Sequence, residues 1–213
     1  MDRRGEGRQI DEIVTGLLLL VALAALAVMA AIALRTETVQ PPRVVIPPPA
    51  YSLMLSQDRD SVHLKGPIDP GITAALEALL TGTPEVRALV LESNGGRIAE
   101  ARGLIRLVRE HRLAARVEGD CLSACALVFI TAQDRALGSA GRLGFHSYAL
   151  RSQTPLRLID PAAEQRRDLD QMRAAGISAA FIDRVENTPP QEMWFPTRTE
   201  LRTAGILPVV PAR

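Results

Sequence analysis

The sequence predicts an α/β fold preceded by one N-terminal transmembrane helix. From residue 51 onward, short apolar strand-like runs alternate with helical segments, which is typical of parallel strands joined by helical crossovers. Near the N-terminus, an uncharged apolar run is long enough to span a bilayer. A chain of 213 residues therefore accommodates one globular domain and a membrane-anchoring appendage.

The apolar run, IVTGLLLLVALAALAVMAAIAL, occupies residues 13–34. As a helix it is roughly 33 Å long, enough to cross the hydrocarbon core. Because arginines precede it, we interpret it as a signal anchor with residues 1–12 in the cytoplasm, and a cleavable signal peptide is the alternative. This topology predicts a single-pass membrane protein whose folded domain faces outward, which is the periplasm if the membrane is a bacterial inner membrane.

A proline-rich segment, residues 35–50, follows the apolar run. Its prolines forbid a helix and favour extended polyproline geometry, so we interpret it as a stiff linker. A proline-rich recognition ligand is the alternative. The folded domain is then residues 51–213.

The domain begins with two short β-like runs, YSLMLS (51–56) and SVHLKGPI (61–68), joined by a turn-rich QDRD. A helix ending at Gly82 and an apolar strand running into NGG follow. The remaining strands and helices are predicted from periodicity and from glycine stops. They are helix 98–113, strand 114–119, an apolar helix 123–132, strand 141–150 and helices 162–176, 178–187 and 197–207.

Charge and composition exclude one class of partner. The net charge of +1 provides no basic field, and the aromatic content of 3% provides no stacking platform for bases. We therefore expect no nucleic-acid partner, and we expect no cofactor and no metal.

The stretch GDCLSACALVF, residues 119–129, places Ser123 where a strand passes into an apolar helix. Unpaired N–H groups at a helix N-terminus suit an oxyanion, so Ser123 could attack a carbonyl while the Ala124 N–H stabilises the resulting charge. The alternative is a serine that only caps the helix. Gly95 and Gly96 after an apolar strand, and His146 after another, favour a base-activated serine.

Five motifs occur along the chain in the order LKGPID (64–69), LESNGG (91–96), GDCLSACALVF (119–129), GFHSY (144–148) and FPTRTELRTAGIL (195–207). Together they resemble the Clp protease proteolytic subunit family, within the Clp and crotonase-type fold. The resemblance implies a ClpP/crotonase-like β-superhelix of repeated ββα units, in a membrane-anchored extracytoplasmic branch. It also implies that Ser123 is the nucleophile, that His146 is the general base, and that Gly95, Gly96 and Ala124 form the oxyanion hole.

The chain departs from this family at the acid of the catalytic triad. Alignment back from the closing helix puts Met193 at the acid's place. Glu192 beside it is the tentative acid, and Asp183 is a more remote candidate. A Ser–Lys pair, used by the related signal peptide peptidase family, would need Lys65.

Cys121 and Cys125 are one helical turn apart, close enough for a disulfide that would pin the loop presenting Ser123. Two buried thiols are the alternative. A zinc site with His146 lacks a fourth ligand.

Two classes of function follow. The first is an ATP-independent serine hydrolase, most simply a peptidase acting on peptides or unfolded polypeptides. The second is a catalytically inactive binding or assembly domain that kept the fold, and a crotonase-like acyl-CoA enzyme is a third alternative. Residues 156–187 correspond to the helical segment through which the resembling family assembles, so the resemblance implies a homo-oligomer.

Overall fold

The structure is a computed structural model that describes residues 3–34, 50–148 and 160–208. The chain divides into two compact units, Met1–Pro47 and Pro48–Arg213. The proline-rich linker predicted for residues 35–50 lies outside the described residues except for Ala50.

The first unit contains helix α1, Arg3–Leu34, which begins before the predicted span. Its side chains from residue 15 to residue 31 are exposed. In the parts of the chain that the structure describes, no helix combines the length and the apolar character needed to cross a membrane. The transmembrane helix predicted for residues 13–34 is thus not found there.

The second unit is a six-stranded sheet with six helices in its described part. The strands are β1 Ser52–Leu55, β2 Ser61–Lys65, β3 Ala88–Ser93, β4 Ala114–Leu122, β5 Arg135–Leu137 and β6 Arg142–Gly144. The helices are α2 Ile72–Gly82, α3 Ile98–Glu110, α4 Ala124–Thr131, α5 Pro161–Ala174, α6 Ala179–Asn187 and α7 Arg198–Thr203.

The sheet is parallel except for β1, which pairs antiparallel with β2. Its order is β1-β2-β3-β4-β5. Strand β4 is long enough to pair with two partners in turn: residues 115–117 pair with β5, and residues 120–122 pair with β6. The end of β4 therefore lies between β3 and β6, the two strands that precede the glycine turn and His146.

The predicted α/β class is confirmed. The crossover helices arise as expected, because α3 buries one apolar stripe, including Leu104 and Val108, and exposes its charged face. All eight residues of α4 are buried, as its uniformly apolar sequence predicts. This buried helix begins directly after Ser123 and packs against β4 and α3.

Candidate active site

Ser123 joins β4 to α4 in an unusual backbone conformation, with φ 54° and ψ −122°. Non-glycine residues adopt positive φ rarely, and such strain persists where the surroundings enforce it, often at functional sites. The Ser123 N–H donates to the Gly144 carbonyl at 2.8 Å, which ties the serine to the end of β6. Its side chain makes no capping hydrogen bond. The hydroxyl is therefore not engaged as a helix cap.

A disulfide joins Cys121 and Cys125 around this serine, with 5.2 Å between their Cα atoms. Both cysteines are fully buried. The sequence left open whether this pair forms a disulfide or two buried thiols, and the structure contains the disulfide. In the described residues no group of three histidine, cysteine or acidic side chains could hold a metal ion. The bridge links the end of strand β4 to the first turn of helix α4, so it restrains the backbone on both sides of Ser123.

Replacing both cysteines with serine is expected to lower the free energy of unfolding by about 2 kcal/mol, the chain-entropy value for so short a loop. Denaturant unfolding of the oxidised wild type against the Cys121→Ser/Cys125→Ser variant measures this. The reduced wild-type protein is the control, because it lacks the bridge but keeps both sulfur atoms. Equal stability of all three forms would contradict a stabilising bridge.

The glycine turn after β3 lies directly against Ser123. A Cβ atom on Gly95 would come within 2.9 Å of the Ser123 Cβ and 3.1 Å of the Ala124 nitrogen, so only glycine permits this approach. Gly95 has φ 87°, and its N–H is engaged with the Ser93 hydroxyl at 3.1 Å. Gly95 therefore lets the turn lie close to Ser123, but its N–H is not available to stabilise an oxyanion.

Gly96 and Ala124 supply available donors. Gly96 forms a parallel bridge with Ile68, in which the flanking Gly95 carbonyl and Arg97 N–H make the hydrogen bonds. Parallel pairing of this kind directs the N–H of Gly96 itself away from Ile68. Neither the Gly96 nor the Ala124 amide has an acceptor among the residues that the structure describes.

His146 follows the bridge that Phe145 forms with Trp194. Its Nδ1 atom lies 2.6 Å from the carbonyl oxygen of Ser147. The Phe145 and Trp194 rings lie 5.1 and 4.7 Å from the Phe181 ring between centroids, and the Ser147 N–H donates to the Thr188 carbonyl at 2.8 Å. The segment that carries His146 is thus anchored on both sides of the imidazole.

Ser123 and His146 line the same cavity, of about 30 Å³, which by volume has room for about one water molecule. Its other walls come from α4, α5 and α6 and are mainly apolar; they include Leu127, Ile130, Leu169, Met172 and Val185. The structure therefore brings the predicted nucleophile and base to one cavity, although neither Gly96 nor Ala124 is among its lining residues.

A wider cleft, of about 500 Å³, lies at the amino ends of β2, β3 and β4, the opposite end of these strands from Ser123. Three arginines, Arg87, Arg112 and Arg116, line it together with Asp60 and Asp134. No histidine or cysteine is among its lining residues, so it holds no nucleophile–base pair of the kind found beside β4.

The acids considered from the sequence lie elsewhere. Glu192 and Asp183 are exposed, and neither lines the cavity. Met193 is half-buried beside Gly144. Lys65 is exposed and pairs with Glu92 at 3.0 Å. The structure therefore does not bring Glu192, Asp183 or Lys65 to the cavity that holds Ser123 and His146.

A carboxylate that the sequence analysis missed does line this cavity. Asp168 on α5 is 1% exposed and accepts hydrogen bonds from Arg102 through both carboxylate oxygens at 2.8 Å, from the Tyr148 hydroxyl at 2.8 Å and from Gln171 at 2.9 Å. Arg102 also pairs with Glu164. The four donors occupy the acceptor sites of Asp168, so this carboxylate does not orient His146 directly.

Burial, and then the charge of Asp168, raises the pKa of the Tyr148 phenol. Because the folded-state pKa exceeds the unfolded value of about 10, this phenol favours folding below that pH, and the contribution is lost as the pH rises through the folded pKa. We expect the phenolate absorbance of Tyr148, isolated as the difference between wild type and Tyr148→Phe, to appear only above pH of about 10. A difference signal centred at or below pH of about 10 in folded protein would contradict this.

Comparisons with known proteins show the fold alone. No family model matches the chain, and no curated protein matches it. Among solved structures, a ClpP1 mutant from Listeria monocytogenes aligns with a TM-score of 0.57 and 16% identity, covering 70% of this chain and 90% of that chain. The chain has a ClpP-like fold.

In this ClpP-like fold the site lies at the carboxyl ends of parallel strands, where β3, β4 and β6 converge. Asp168 could have been suspected from the sequence, because Gln165, Asp168, Leu169 and Met172 share the spacing of one buried helix face. Nothing in the sequence pairs this face with Arg102 or Tyr148, because these contacts join residues far apart in the chain.

Proposed function

We propose that this protein is a serine hydrolase, most simply a peptidase, in which Ser123 is the nucleophile and His146 is the general base. One observation carries the proposal. Ser123 is held in a strained conformation at the start of a buried helix, with no capping bond and in the same cavity as His146, and the N–H groups of Ala124 and Gly96 have no acceptor among the described residues.

The steps follow from these groups. The Ser123 oxygen attacks the substrate carbonyl while His146 Nε2 takes the hydroxyl proton, and the Gly96 and Ala124 N–H groups stabilise the oxyanion. His146 then gives the proton to the leaving amine, which departs and leaves an acyl-enzyme. Water, deprotonated by the same imidazole, releases the acid and restores Ser123.

The disulfide supports an oxidising location for this domain, such as the periplasm. Such a location lacks the ATP-driven unfoldases of the cytoplasm, so we propose short peptides or unfolded polypeptides as substrates.

The likeness to a ClpP1 structure supports an oligomer of this chain. Anchoring through residues 13–34 and a β-superhelix of ββα units stay predictions.

A fluorophosphonate probe, which reacts with activated serines, tests the function. The full-length protein is labelled and the adduct is located by mass spectrometry, in the wild type and in the Ser123→Ala and His146→Ala variants. We expect one adduct, on Ser123, that both substitutions abolish. The control is Ser139→Ala, which removes an exposed serine outside the cavity lining and leaves labelling unchanged.

The alternative is a non-catalytic binding or assembly domain. It is favoured by the fact that His146 contacts a backbone carbonyl rather than a carboxylate in the described structure. An absence of any adduct on folded, oxidised wild-type protein would favour this alternative over the hydrolase.

A further inference from the structure

The imidazole of His146 has a defined hydrogen-bond partner although no carboxylate contacts it in the described structure. Its Nδ1 lies 2.6 Å from the Ser147 carbonyl oxygen. A carbonyl oxygen only accepts hydrogen bonds, so Nδ1 carries the proton and donates it. In the neutral ring Nε2 is then left as the acceptor, which is the tautomer a general base requires.

The orientation of that carbonyl is set from the other side of its own peptide group. The Ser147 C=O and the Tyr148 N–H belong to one planar trans peptide and point in opposite directions. The Tyr148 N–H donates to Gln165 Oε1 at 2.6 Å. Gln165 on α5 is 7% exposed, whereas Ser147 and Tyr148 are half-buried, so a buried side chain holds this peptide from its inner side.

The side chain of Tyr148 is held to the same helix. Its hydroxyl donates to Asp168, one turn beyond Gln165 on α5, and Arg102 from α3 holds Asp168 in place through two further hydrogen bonds. Tyr148 is therefore bound to α5 at both its backbone and its side chain, and rotation of the Ser147–Tyr148 peptide would break the contact with Gln165.

We propose that the Ser147–Tyr148 peptide, oriented by Gln165, replaces the carboxylate of a catalytic triad. Gln165 is a positioning residue, because it acts on His146 through the peptide. This inference rests on the proposed hydrolase function and assigns the task for which the sequence offered Glu192 and, more remotely, Asp183. No proton moves along the peptide: Nδ1 keeps its proton throughout, and only Nε2 gains and returns one.

The arrangement also favours the charged state of His146 during the reaction. When Nε2 takes the Ser123 proton, the imidazolium donates from Nδ1 to the Ser147 carbonyl. A hydrogen bond at the N–H end of a peptide polarises its carbonyl and strengthens it as an acceptor. Loss of the Gln165 acceptor should therefore weaken both the tautomer preference and the stabilisation of the imidazolium.

A matched pair of variants at residue 165 tests this in the full-length oxidised protein. Gln165→Met keeps the side-chain length but removes the oxygen, whereas Gln165→Glu keeps an acceptor oxygen. We expect Gln165→Met to slow fluorophosphonate labelling of Ser123 by about 10-fold or more, and Gln165→Glu to stay within about 3-fold of wild type. Labelling of folded Gln165→Met at the wild-type rate would overturn the inference and leave the hydrolase proposal intact.

Nitrogen-15 NMR of the His146 ring is independent of activity. We expect the signals of wild type and Gln165→Glu to show the Nδ1–H tautomer, and those of Gln165→Met to show a mixture. An Nε2–H tautomer in the wild type would overturn the inference even if Ser123 is labelled. If Ser123 is never labelled, the hydrolase proposal fails, while the Nδ1–H tautomer and its loss in Gln165→Met would still support positioning by Gln165.

Discussion

Replacing Gly96 with alanine is expected to destabilise the folded domain by about 2 to 3 kcal/mol and to abolish labelling of Ser123. The added Cβ would lie 2.3 Å from the Ile68 carbonyl oxygen and within 2.9 Å of two further backbone atoms of Ile68. These atoms cannot rotate away as a side chain would. Relief requires the Gly96 turn to move, which displaces the amide that we propose stabilises the oxyanion.

The control is Gly82→Ala at the end of α2, where an added Cβ meets nothing within 4 Å. It should leave both stability and labelling close to wild type, or slightly improve stability through helix propensity. Denaturant unfolding and the labelling rate are the two measurements. A Gly96→Ala protein as stable and reactive as Gly82→Ala would show that the close approach to Ile68 is not required.

Replacing Asp168 with alanine is expected to cost about 3 kcal/mol of unfolding free energy, the low end for breaking a buried ion pair. Arg102, whose side chain is 19% exposed, would keep only Glu164 as a charged partner, and the Tyr148 hydroxyl would lose its acceptor. The value is at the low end because Glu164 still neutralises part of the guanidinium charge.

Asp170→Ala provides a control on the same helix. The Asp170 side chain is 71% exposed and pairs with Arg173 three residues later, an arrangement worth only a few tenths of a kcal/mol. Denaturant unfolding of both variants separates the loss of a buried network from the loss of a surface charge. Equal effects would mean that burial of Asp168 does not strengthen its interactions.

Much of the fold could be predicted from the sequence because the apolar residues of its long helices and strands recur at regular spacing. Helix α3 and the wholly apolar α4 follow directly from the spacing of their apolar residues. Strand β5 was missed, because three residues give no period to detect. Strand β4 extends through Gly119 and Asp120, which resemble a loop locally, because β6 supplies a partner that only the tertiary fold brings there.

The candidate site could be predicted from the sequence only in part. Ser123, His146 and the paired glycines lie at strand ends, where the motif order marks them. The backbone angles of Ser123 and the distant partners of Asp168 arise from tertiary contacts, which local pattern does not encode. The hydrogen bond from His146 to the adjacent carbonyl is local, yet the N–H of the same peptide, from Tyr148, donates to Gln165, seventeen residues away.

The disulfide has a consequence for how the chain matures. With two cysteines in the sequence, only one intramolecular pairing exists, and its partners are four residues apart. Oxidation of a single chain therefore yields no scrambled isomers, and an oxidant alone suffices where proteins with more cysteines need an isomerase to sort their bridges. The disulfide around Ser123 can thus form early in biosynthesis, before strands that are distant in the sequence have paired.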